Sequence, residues 1–128
     1  MNIKRIDADI PRAIAALAEM GMAEDGVILG NYRSVISTFG SIISQGGLKP
    51  AVAFLNNESD QKYIDRRLLL QAIYYVISGQ KADADQIFKA VCDPEKDERA
   101  MKERFTEAAV SLKLAMAFYH SRREDEPT

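Results

Sequence analysis

The sequence predicts an all-α fold, a compact bundle of about five to six helices that ends in a long C-terminal helix. Three observations lead there. Apolar residues recur at steps of three and four along the longer segments, as they do when one face of a helix is buried. Caps and breakers stand at the ends of those segments, Gly46-Gly47, Gly79 and Asp83 being the clearest. No stretch alternates with period two over a useful length, so no sheet is expected. A chain of 128 residues fits one domain, 1–128, with 124–128 expected to fray.

The first helix covers 3–20, where Ile6, Ile10, Ile14, Leu17 and Ala18 fall at helical spacing. Asp9 is its candidate cap, with Pro11 near the first turn, and Met20-Gly21-Met22 closes it. Residues 23–26 are a linker. The second helix, 28–45, carries the stripe Tyr32, Val35, Ile36, Phe39, Ile42 and Ile43. Gly40 lies inside it at a cost of about 1 kcal/mol against Ala, marking a kink or a close neighbour. The corner SQGGLKPAVAFLNN follows at 44–57. Glycine adopts positive φ past a helix end without a Cβ clash, and a hydrophobe after it packs back on the last turn. Pro50 suits the start of a short helix over 50–55. Asn56-Asn57 and Ser59-Asp60 mark a loop, with Asp60 as cap of a fourth helix over 61–78. Its second half, LLLQAIYYVI, is apolar nearly all round, which marks the central helix of a bundle. Gly79 stops it. Asp83 caps a short helix over 84–92 that turns Ile87, Phe88 and Val91 inward.

The last helix spans 94–123, with Asp93 as cap and Pro94 in the first turn. Glu95, Asp97 and Glu98 at its start, and Arg122 and Arg123 at its end, suit the helix dipole. Glu95–Arg99 and Glu98–Lys102 are i,i+4 pairs. Met101, Phe105, Ala108, Leu112, Ala115, Met116 and Tyr119 form its core stripe. Arg99, Lys102, Thr106 and Lys113 gather on another sector. A second apolar set, Val110, Leu114, Ala117 and Phe118, lies well round from the core stripe. Either a neighbouring helix of the same chain covers this set, or it is an exposed docking patch for another subunit. The basic sector is open to two readings as well, a solvated face or a contact strip.

The chemistry of an enzyme is missing. His120 is the single histidine and Cys92 the single cysteine, and neither has metal-ligand or nucleophile-base spacing around it. Cys92, on a short amphipathic helix, reads as a small core residue, and His120 as a helix-end residue favouring the last carbonyls. Phosphate-binding glycine loops are missing, and the carboxylates fall in first turns and on exposed faces. No cofactor is expected. Net charge is −2, so no global positive field recruits nucleic acid. The start lacks the apolar core of a signal peptide, and the longest apolar run, 68–77, is too short to span a bilayer. A cytoplasmic protein without membrane contact is expected. The corner does not make a DNA-reading helix-turn-helix, because the helix after it is short and apolar.

The residues then carry a family resemblance. Asn31-Tyr32-Arg33-Ser34, an apolar helix, Gln45-Gly46-Gly47-Leu48 and Ala51-Val52-Ala53-Phe54-Leu55 resemble the small helical subunits of the Cmr complex, the type III-B CRISPR RNA-guided effector. Ile73-Tyr74-Tyr75 and Ala115-Met116-Ala117-Phe118-Tyr119 extend the likeness over most of the chain. Members often carry proline in the middle of the second helix, where this chain has Gly40, and a basic or polar residue just before the corner, here Ser44. Lys49, just beyond it, is the candidate replacement. The resemblance implies a non-catalytic subunit that stacks with copies of itself beside other Cmr subunits and lines the channel holding guide RNA and target RNA. Arg33, Lys49, Arg66, Arg67, Arg99, Lys102 and Lys113 are then the candidate RNA-backbone contacts. Val110, Leu114, Ala117 and Phe118 are the candidate subunit interface.

Two other readings compete with this one. One is a helical adaptor of another assembly, such as the sister Csm complex. The other is a small ligand-binding regulatory domain, which predicts a closed apolar pocket and polar groups inside the core, Gln71 being the one good candidate.

Overall fold

The computed structural model describes residues 1–28, 31–57 and 64–121. Among these are six helices: α1 (Ile3–Glu19), α2 (Tyr32–Gly46), α3 (Leu48–Leu55), α4 (Arg66–Ser78), α5 (Ala84–Val91) and α6 (Glu98–Met116). The expected all-α bundle with a long last helix is what forms. α4 packs against every other helix, as its all-round apolar character requires, and buries Leu69, Leu70, Ala72, Ile73 and Val76. The stripes of α2 and α6 also face inward: Tyr32, Val35, Ile36, Phe39 and Ile43 from one, Phe105, Ala108, Leu112, Ala115 and Met116 from the other.

The most extensive pairing joins the first helix to the last. Backbone N–H of Asn2 reaches Glu107, the Ser111 hydroxyl donates to the Ile6 carbonyl, and the Tyr119 hydroxyl donates to the Ile14 carbonyl, each link spanning 105 residues. The constant offset means that α1 and α6 run parallel in fixed register. This pairing corrects the start of α1. Asn2, not Asp9, is the cap, its Oδ1 accepting the N–H groups of Lys4 and Arg5. Pro11 consequently lies inside the helix, on its exposed side, so the carbonyl left without a donor faces solvent rather than the core. Asp9 takes two hydrogen bonds from Arg104 instead, at 2.7 and 2.9 Å.

A small sheet was not expected and is present. β1 (Ala23–Glu24) pairs antiparallel with β2 (Val27–Ile28), which pairs in parallel with β3 (His120–Ser121). Strands of two residues are too short to leave an alternating pattern. The turn between the first two is Asp25-Gly26, with φ of +53° and +78°, the left-handed geometry of the tight hairpin that this dipeptide favours.

Other boundaries move for local reasons. α3 begins at Leu48, so Pro50 is its third residue rather than its first; Gly47, at φ +98°, makes the corner. α4 begins at Arg66 under an Asp65 cap, and the expected cap Asp60 lies outside the described residues. Asp83 caps α5 in a reciprocal box with Gln86, and Gly79 ends α4 in the left-handed conformation. α6 starts at Glu98 under Asp97, because Asp93 closes a separate turn onto the N–H of Glu95, which leaves Glu95 outside the helix. It stops at Met116 rather than running to 123, so His120 is a strand residue; Arg122 and Arg123 lie outside the described residues, as does the tail at 124–128. Cys92 is exposed, since the helix ends one residue before it. Gln71 is only half-buried; the polar residues inside the core are Glu107 and Ser111. Among the described residues no helix is long and apolar enough to cross a membrane.

Candidate subunit and nucleic-acid interface

α2 and α6 run in opposite senses. Arg33, on the first turn of α2, donates from Nη2 to the Met116 carbonyl at the end of α6, 2.9 Å away. This satisfies one of the orphan carbonyls of the helix end with a cation, as the dipole prefers. Further along the same seam, Ile36, Ser37, Gly40 and Ile43 of α2 face Thr106, Ala109, Val110 and Lys113 of α6 across a groove of about 150 Å³. Lys102 lies one turn before Thr106, whose hydroxyl donates to its carbonyl at 2.7 Å. Three of the seven basic candidates, Arg33, Lys102 and Lys113, therefore share one seam.

Arg66 and Arg67 belong to a different corner, where α3, α4 and α5 meet. The Arg66 guanidinium stands 4.4 Å over the Phe54 ring, a cation–π contact. Arg67 pairs with Asp85 at 3.1 Å and lines a polar hollow of about 410 Å³ with Asp65, Gln71, Asp83 and Lys89. Charges of both signs line that hollow, which makes it a poor cradle for a phosphate and the opposite of a closed apolar pocket. Tyr32 braces the corner, its hydroxyl accepting the N–H of Asp65 at 3.0 Å. Burial and the nearby Asp65 charge push the Tyr32 hydroxyl pKa up, and the hydrogen bond offsets part of this. Lys49 and Arg99 are exposed in the first turns of α3 and α6.

Of the apolar candidates, Val110 is half-buried on the groove wall, while Ala117 is exposed. Leu114 is 50% exposed and Phe118 70% exposed, so among the described residues no helix covers these two. The Phe118 ring touches Tyr119 edge-on at 5.3 Å.

One cluster was not anticipated from the sequence. Glu107 is out of solvent contact beneath the half-exposed Arg5, accepting from the Arg5 Nε at 2.8 Å, the Arg5 Nη2 at 2.9 Å and the Asn2 N–H at 2.8 Å. Arg104 stands 3.7 Å away. The hydrogen bonds from Arg5 outweigh burial and hold the Glu107 carboxyl below the usual carboxylate range, and the same pairing raises Arg5. The cluster locks α1 onto α6, on a side of α6 other than the α2–α6 seam. Its sequence signal was weak: a carboxylate one turn before Ser111, within an otherwise apolar run.

The chain is thus a small, mainly helical protein with an exposed apolar patch, a groove and a basic seam. A family model described as CRISPR-associated protein (Cas_Cmr5) matches residues 10–124, and the chain belongs to that family, the small subunits of the type III-B (Cmr) CRISPR machinery. No curated protein matches the chain, and no solved structure matches it.

Proposed function

We propose that this chain is a non-catalytic structural subunit of the Cmr effector, stacking with copies of itself in the minor filament and holding the backbone of the guide–target RNA duplex in the cytoplasm. The observation that carries the reading is the family match over residues 10–124. Its contacts go to phosphates, while base pairing between guide and target carries the sequence information. Lys49, Arg99 and Lys113 are the exposed cations best suited to this, and Lys102, half-buried, shares α6 with the last two. Arg33, Arg66 and Arg67 shape the surface through the Met116 carbonyl, Phe54 and Asp85. A net charge of −2 makes RNA binding by one copy weak, so affinity builds only along a row.

The test is capture of target RNA by the assembled complex. Lys49→Glu with Lys113→Glu lowers capture while the isolated chain still melts cooperatively, whereas Lys89→Glu, on α5, leaves capture unchanged. Equal loss with Lys89→Glu, or failure of the chain to co-purify with other Cmr subunits, refutes the reading.

A further inference from the structure

Gly40 lies in the interior of α2, where glycine costs about 1 kcal/mol relative to alanine. Among the described residues nothing accounts for it. A Cβ at this position would meet no atom within 4 Å, so no neighbouring helix requires the space. What the missing side chain does is open the groove between α2 and α6. Ile36, Ile43, Ala109 and Val110 give that groove apolar walls, and its volume of about 150 Å³ is the size of an apolar protein cavity that accepts benzene. The groove therefore has room for one aromatic ring. Among the described residues, Phe118 is the one phenylalanine or tyrosine that is exposed, at 70%.

We propose that the Gly40 groove is a socket for the Phe118 ring of a second copy of this chain. Plug and socket are different surfaces of the same molecule, so the contact joins unlike faces of neighbouring copies. An aromatic ring seated in an apolar pocket is the type of anchor that dominates small interfaces. The inference rests on the stacking part of the functional reading and names the residues that would carry it.

The test uses the full-length chain in sedimentation over a concentration series. Wild type shows an average mass that rises with concentration. Gly40→Leu fills the socket and Phe118→Ala removes the plug, and each variant alone stays at monomer mass. An equimolar mixture of the two regains association, because the first variant still offers a plug and the second a socket. Gly40→Ala, which narrows the groove less, weakens association while raising the melting temperature, an opposition that a merely structural glycine would not produce. Wild type that remains monomeric throughout, or a mixture that fails to associate although both variants melt cooperatively, overturns the proposal. The same result with the chain still co-purifying with Cmr subunits overturns the socket alone and leaves the wider reading standing.

Discussion

Replacing Glu107 by glutamine keeps the shape of the side chain and removes its charge. The carboxylate accepts three short hydrogen bonds, two of them from the Arg5 guanidinium. Glutamine offers one acceptor oxygen and turns an NH2 group toward a donor, so at least one of those bonds becomes a donor facing a donor. A hydrogen bond to a charged group is worth about 1.5–3 kcal/mol, and a buried donor left unmet costs about 1–3 kcal/mol. Arg5 is half exposed and recovers water, which offsets part of the loss. The expected destabilisation is about 2–3 kcal/mol, a fall in Tm of roughly 6–15 °C for a domain of this size. Urea unfolding should show a lower midpoint with unchanged slope. The pH dependence carries a sign. Because the folded carboxyl titrates below its unfolded value, its stabilisation is present above the unfolded pKa of about 4.3 and is lost as pH falls through the folded one. The gap between wild type and Glu107→Gln should be full at neutral pH and should close in acid. Arg5→Gln, destabilising in wild type, should add little once Glu107 is gone. A gap under about 0.5 kcal/mol at neutral pH, within the range of an ordinary surface substitution, would refute the view that this cluster fastens α1 to α6.

Arg66→Ala should cost about 0.5–1 kcal/mol in urea unfolding through the lost contact with Phe54, whereas Lys49→Ala should stay within about 0.5 kcal/mol of wild type. Tyr32→Phe leaves the Asp65 N–H without its acceptor and should lower stability by about 1 kcal/mol. Since the Tyr32 pKa is raised on folding, wild type should lose stability as pH climbs above the ordinary tyrosine value of about 10, and Tyr32→Phe should lack that part of the alkaline loss. Leu114→Asp with Phe118→Asp should lower Tm by only a few degrees, because Leu114 is half exposed and Phe118 mostly so; cooperative melting lost in that variant would mean the patch is core.

The helices were legible wherever packing follows sequence period. The stripe from Tyr32 to Ile43 and the all-apolar α4 each fix a buried face from neighbouring residues alone. The second apolar set was visible as residue types, but whether it would be covered was not: Leu114 and Phe118 are exposed, Val110 is half-buried, and Ala117 and Phe118 lie past the end of α6. What the sequence hid depends on partners far along the chain. The capping role of Asn2 is tied to Glu107, and the early end of α6 to the Tyr119 hydroxyl reaching Ile14. The basic candidates were recognisable as residue types, but Arg33, Arg66 and Arg67 find the Met116 carbonyl, Phe54 and Asp85 only after folding. The Asp-Gly hairpin is a different kind of miss, since its signal was local and lay in what reads as a mere linker.

The parallel pairing of α1 with α6, together with the strand bond from Val27 to His120, has a consequence for synthesis. The helix made first has its main partner made last. While the chain is emerging from the ribosome, α1 can pack against α4 but lacks its main partner, and the free edge of β2 stays open. Closure waits until residue 121 has cleared the exit tunnel. In nascent chains stalled before that point α1 should stay more sensitive to protease than in the released chain, and its full protection should arrive only with α6.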